Sequence, residues 1–172
     1  MTGKTFLNNI ANDNKDILQL LLDKLNELEI NYCVIGGLAV NAYAEPVASL
    51  DLDIVLTLND IDKFLEKTKE LFSITKIKHS INFSHTDSDL RIQVQTDNRY
   101  QPFIERAVEK NVLGYRMKVA NLEDVLKGKL WAYMDKQRRK SKRQKDLADI
   151  MRLTETHPHL IDLLPDEIKT IL

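Results

Sequence analysis

The 172-residue chain is short of the residues that staple, anchor or break a protein, and each shortage excludes something. Its one cysteine, Cys33, rules out an internal disulfide and argues against a structural zinc cluster. It lies in an apolar stretch and reads as buried filler. No apolar run approaches the ~18 residues of a membrane-spanning helix. The opening Met-Thr-Gly-Lys-Thr-Phe has no signal-peptide apolar region, so a cytoplasmic location without a membrane partner is the expectation. Gly3-Lys4-Thr5 resembles the end of a phosphate loop, but the upstream glycine and strand are missing. His79, His85, His157 and His159 show no strong metal-ligand spacing and read as surface or capping residues. Neither charge sign dominates, since the formal net charge is −1. There is no internal repeat.

Glycine is scarce too, with five in the chain, yet two of them are adjacent. Tyr32 to Ile35 has the length and β-branched content of a buried strand, and it stops at Gly36-Gly37. Leu38 to Ala44 reads as a short helix ended by Pro46. A second strand, about Leu50 to Leu58, turns Leu52, Ile54 and Leu56 to one face and Asp51 and Asp53 to the other. A glycine pair at a strand-to-helix turn lets backbone N–H groups approach a phosphate. Carboxylates two positions apart on a strand have Cα atoms roughly 6.5–7 Å apart. They can converge on one divalent cation or bracket two ions about 3.5–4 Å apart. A Gly-Gly pair alone is a turn, and Asp-x-Asp alone is a solvated strand face. Their order and context make the combination specific.

Ile35-Gly36-Gly37, thirteen residues, then Asp51-Leu52-Asp53-Ile54 resembles the signature of the nucleotidyltransferase (polymerase β-like) superfamily. Gly36-Gly37-Leu38-Ala39 further resembles its AbiEii-type bacterial branch. The resemblance implies a Mg²⁺ (or Mn²⁺) site at Asp51 and Asp53, phosphates at Gly36 and Gly37, and an NTP substrate. Ser49 matches a small hydroxyl that the branch often carries there, whereas the arginine often found two positions earlier is Val47. Two later motifs are similar to those of the branch: Lys129 within Asp124 to Tyr133, and Lys145-Asp146. The resemblance makes Lys129 a triphosphate ligand, adds Lys145 to the nucleotide-binding set, and makes Asp146 the acid or base. Read from the residues alone, Lys129 is a solvated helix lysine and Asp146 a helix-surface acid. Asp149 lies three residues on, on the same helix face.

The superfamily's third acid is missing. The strand that should bear it is Leu90 to Gln95, and its central residue is Gln93, an amide that cannot act as a base at neutral pH. Asp89 and Asp97 share its parity but lie roughly 13 Å away along a strand.

The remaining pattern is α/β. The period predicts a helix of about 15 residues around Ile17 to Leu28, capped by Asn14, after a polar loop over 8–14. It predicts a helix over Ile61 to Leu71, strands over Phe72 to Lys78, Ile81 to His85 and Tyr115 to Val119, and a helix over Pro102 to Lys110. From Asn121, a predicted N-cap, the pattern is helical, with Leu126, Leu130, Trp131 and Met134 inward. A second helix runs from about Gln144 to Glu155, and a last segment, Leu160 to Leu172, is split by Pro165. The expected fold is a mixed sheet flanked by helices (residues 1–120) with a C-terminal helical bundle (121–172). Between the two late helices, Lys136 to Lys145 holds seven basic residues in ten. That is a solvated connection, or a surface drawing triphosphate or RNA to the acids. No aromatic interrupts it, so base stacking has no support there. The resemblance implies Mg²⁺-dependent NMP transfer to a hydroxyl; the basic run makes RNA, such as tRNA, one expected acceptor, and a protein hydroxyl is equally open. The rival reading is a degenerate fold that binds NTP or a partner protein, related to toxin–antitoxin pairs.

Overall fold

A computed structural model describes residues 1–172 and contains a seven-stranded mixed sheet with helices packed against it. The strands are β1 (Tyr32–Ile35), β2 (Asp51–Leu56), β3 (Ser73–Ile77), β4 (Ser80–His85), β5 (Ser88–Gln95), β6 (Val108–Val112) and β7 (Tyr115–Val119), in the order β3-β4-β5-β2-β1-β7-β6. The helices are α1 (Gly3–Ile10), α2 (Ile17–Glu27), α3 (Gly36–Val40), α4 (Ile61–Thr68), α5 (Gln101–Glu105), α6 (Leu122–Met134), α7 (Lys140–Thr156) and α8 (Asp166–Lys169). No helix is long and apolar enough to cross a membrane.

The central strands are the apolar ones. β1 is buried along its whole length, as a strand with both faces covered must be. It pairs antiparallel with β2 and parallel with β7. β2 pairs parallel with β5, setting Asp51 beside Arg91 and Asp53 beside Gln93. One apolar cluster joins the sheet to the helices. It takes in Leu21 and Leu25 of α2, Val34 of β1, Ile54 of β2, Leu126 of α6 and Ile150 of α7. Each such side chain contributes about 1.5–3 kcal/mol when fully buried. Cys33 is part of this core, and burial pushes its thiol up to about 12.

Several boundaries differ from the sequence reading. The loop expected over 8–14 is in part α1, whose N-cap Thr2 accepts from the Thr5 amide. Helix α2 has 11 residues and is capped by Asp16, whose carboxylate accepts from the Gln19 amide at 3.0 Å. The Asn14 amide instead donates to the Asp87 carbonyl. The helix predicted through Lys110 ends at Glu105, and β6 replaces its second half. The reason is the turn at Leu113-Gly114, both at positive φ, which folds Val108–Val112 back onto β7 as a hairpin. Met134, expected inward, is 43% exposed at the end of α6. Helix α7 begins at Lys140, so six of the ten residues of the basic run are helix rather than linker.

Candidate functional site

The cleft lies where β2 meets α3, α6 and α7. Its lining, around a volume of about 230 Å³, brings together Gly36, Gly37, Ser49, Asp51, Asp53, Lys129, Lys145 and Asp146. Every site residue expected from the sequence is therefore in one place. Gln93, Tyr100, Arg138 and Lys142 share the lining with them.

Gly36 has two reasons to be glycine. Its φ is +69°, and a Cβ there would overlap the Asp53 carboxylate and lie 3.1 Å from the Asp53 Cβ. So Gly36 makes room for the carboxylate. Gly37 is different, because nothing lies within 4 Å of a Cβ built on it. Its open side is available to a ligand.

The two strand carboxylates have unlike surroundings. Asp51 forms an ion pair from Oδ1 to Arg91 Nε at 2.7 Å and from Oδ2 to Lys142 Nζ at 3.4 Å. The Ser49 hydroxyl accepts from the Asp51 amide at 3.2 Å and fixes the start of β2. Asp53 is partly buried and has no salt-bridge partner of its own. Burial raises its pKa above the usual carboxylate range, and neighbouring Asp51 adds to this. Lys129, Arg138 and Lys142 oppose the rise but do not cancel it.

Lys129 and Asp146 are not the solvated helix residues that each would be in isolation. The Lys129 side chain is 8% exposed, and its Nζ lies 3.0 Å from Asp146 Oδ1 and 2.7 Å from Asp149 Oδ2. Burial opposes its charge, but Asp149 and Asp146 outweigh this and hold its pKa above the usual lysine value. Asp146 accepts a second cation, with Arg138 Nε 2.7 Å from its Oδ2. Asp149 is held in turn by Arg152 at 2.7 Å. The basic run thus contributes named partners: Arg138 reaches Asp146, and Lys142 reaches Asp51. Lys145 is exposed at the rim.

Two carboxylates, with the Gln93 amide beside Asp53, offer hard oxygen donors on one wall. No group of three or more His, Cys, Asp or Glu side chains forms a complete ligand set. One or two carboxylates of this kind could hold Mg²⁺, an ion that keeps several waters and substrate phosphates among its ligands. Asp53 has no salt-bridge partner and burial penalises its charged form, so a cation beside it would relieve that cost.

Sequence reasoning missed Arg91, Tyr100, Asn41 and Arg152. Arg91 reaches the Asp51 carboxylate only through the β2–β5 register, which no local pattern reveals. Tyr100 caps the wall beside Gly128 and packs edge-on against Trp131. Burial pushes its hydroxyl up to about 12. No local pattern marks it, because Tyr100, Phe103 and Trp131 meet only in the folded chain.

The fold has solved counterparts. The lincosamide antibiotic adenylyltransferase LnuA, lincomycin-bound, aligns with a TM-score of 0.56 at 12% identity, over 83% of this chain and 99% of that one. ANT(2'')-Ia in complex with adenylyl-2''-tobramycin aligns at 0.59 and 12%, over 90% and 92%. An antigenic nucleotidyltransferase-like protein from Paracoccidioides brasiliensis aligns at 0.58 and 18%, over 95% and 84%. At these identities the likeness is one of fold. No curated protein matches the sequence. Residues 19–172 match the family described as "Nucleotidyl transferase AbiEii toxin, Type IV TA system". That match runs from α2 through every residue of the cleft to Leu172, and the chain belongs to the AbiEii nucleotidyltransferase family.

Proposed function

We propose that this protein transfers an NMP group from an NTP to a hydroxyl of RNA (tRNA among them) or of protein, in a reaction dependent on Mg²⁺ or Mn²⁺. The observation that carries the reading is that Asp51 and Asp53 share one face of β2 and meet the cations of α6 and α7 across a single cleft. Asp51 and Asp53 hold the metal, which supplies neutralisation of phosphate charge when bound. Gly36 and Gly37 border the phosphates, with Ser49 beside them. Lys129, Lys142 and Lys145 face the triphosphate. The acceptor oxygen attacks the α-phosphorus, the bond to the bridging oxygen breaks, and pyrophosphate leaves. The acceptor's proton passes to Asp146 once the incoming phosphates draw Arg138 and Lys129 toward themselves. The cleft is smaller than the roughly 300–1,000 Å³ of pockets that enclose a whole ligand. It suits a triphosphate, with the base outside. The exposed basic start of α7 favours a polyanionic acceptor.

The test is transfer of label from α-³²P NTPs to RNA and to protein, native against Asp51→Asn. Labelled acceptor that disappears with the variant supports the reading. Undiminished Mg²⁺–NTP binding and turnover in the variant would sink it. A second reading is favoured by Gln93 beside Asp53 and by the two cations already on Asp146. It is a catalytically silent fold that binds NTP or a partner protein, as one half of a toxin–antitoxin pair. Activity that appears only on Gln93→Asp would favour this second reading.

A further inference from the structure

The cleft's acidic strand is reached by a loop, residues 41–50, that has no regular structure after its first turn. Such a segment needs an external hold if Ser49 and Asp51 are to keep one position. That hold comes from Arg152, 20% exposed on α7. One guanidinium nitrogen donates to Asp149 Oδ1 at 2.7 Å. The other donates to Asn41 Oδ1 at 3.0 Å and to the Glu45 carbonyl. Asn41 is buried, and it pins both polar atoms of Val47: its amide donates to the Val47 carbonyl at 2.9 Å, and its Oδ1 accepts from the Val47 amide at 3.0 Å. Two residues on, Ser49 pins the Asp51 amide. On its other side Asp149 holds Lys129.

We infer that Arg152 is a positioning residue that sets the Ser49–Asp51 end of the cleft and, through the shared Asp149, keeps Lys129 in register with it. The inference rests on the reading above for its consequence, nucleotide binding, but not for the hold itself. A guanidinium suits this position because it has a planar fork of donors, and lysine cannot span Asp149, Asn41 and Glu45 at once. A contact outside the cleft lining matters here because small displacements of catalytic groups carry large rate and affinity penalties.

Two measurements on the full chain test it. The first is hydrogen exchange of native protein and Arg152→Gln without nucleotide. Faster exchange at 41–50, with the β3–β4 hairpin unchanged, supports the hold; unchanged exchange at 41–50, or uniform acceleration everywhere, overturns it. The second is a double-mutant cycle of Arg152→Gln and Ser49→Ala on Mg²⁺–ATP binding, with Arg152→Lys alongside. The expectation is a roughly tenfold loss for Arg152→Gln, partial recovery with lysine, and little further loss when Ser49→Ala is added. Additive losses, or full recovery with lysine, overturn the positioning role. If the native chain binds no NTP, the proposed function fails, and the exchange result still decides the hold.

Discussion

At the scale of single residues, the two glycines of the sequence motif separate. Gly36 is fixed by its φ of +69° and by the Asp53 carboxylate lying against it. Gly37 borders open space. Gly36→Ala should therefore destabilise the fold by about 1–2 kcal/mol from the backbone conformation alone, and by more as Asp53 is displaced. Gly37→Ala should leave the melting temperature near native while weakening NTP binding, because only a ligand meets the added methyl. Thermal melts and nucleotide titrations of the two variants check this contrast. Asp53 carries a linked pH prediction. Its folded pKa is raised from the ordinary 3.8, chiefly by burial, so the folded state binds the proton more tightly than the unfolded one. Its contribution to stability is most favourable below 3.8 and is lost as pH rises through the higher folded value. Asp53→Asn should thus be more stable than native at pH 7, with the gain shrinking as pH falls through that window. Melts from pH 7 to pH 4 measure it, and a variant less stable than native at pH 7 would contradict the account.

At the scale of elements, α7 carries most of what the cleft adds to the strand carboxylates. Its first turn is basic with no side-chain cap, and Lys142 reaches Asp51 from it. Further along, Asp146 and Asp149 face Lys129 from α6. Removing Lys129 leaves those two buried carboxylates short of one cation, although Arg138 and Arg152 remain. Lys129→Met should cost about 3 kcal/mol, the lower end for a broken buried pair, and should abolish NTP binding. Urea denaturation at pH 7 checks the first part, and a loss below about 1 kcal/mol would mean that the pairing is weak. The sequence made part of this legible. The β1–α3–β2 unit reads directly because Gly36-Gly37 and the Asp51/Asp53 alternation are local signals. Lys129 and Asp146 are reached through the family resemblance, and their mutual burial is a tertiary fact that no periodicity contains. The β6 strand was lost because Glu109, Lys110 and Asn111 on an edge strand mimic a polar helix face, and the turn at Leu113-Gly114 decides between the two. Arg152 was invisible because its partners Asn41 and Glu45 lie more than a hundred residues away.

For the whole molecule, a near-neutral chain concentrates charge of both signs in one cleft. Asp51, Asp53, Asp124 and Asp146 line it together with Lys129, Arg138, Lys142 and Lys145. Cations already sit on Asp51 and Asp146, while Asp53 is left without one. The fold and the family are those of nucleotidyltransferases, and the central claim is that this arrangement receives a metal–NTP complex. The measurement that tests it most directly is calorimetric titration of ATP, GTP, CTP and UTP, each with and without Mg²⁺, into native protein and Asp53→Asn. At least one NTP should bind in a manner that requires Mg²⁺ and is lost in Asp53→Asn. Binding that is equal with and without Mg²⁺, or equal in the two proteins, would contradict it, as would silence from all four nucleotides.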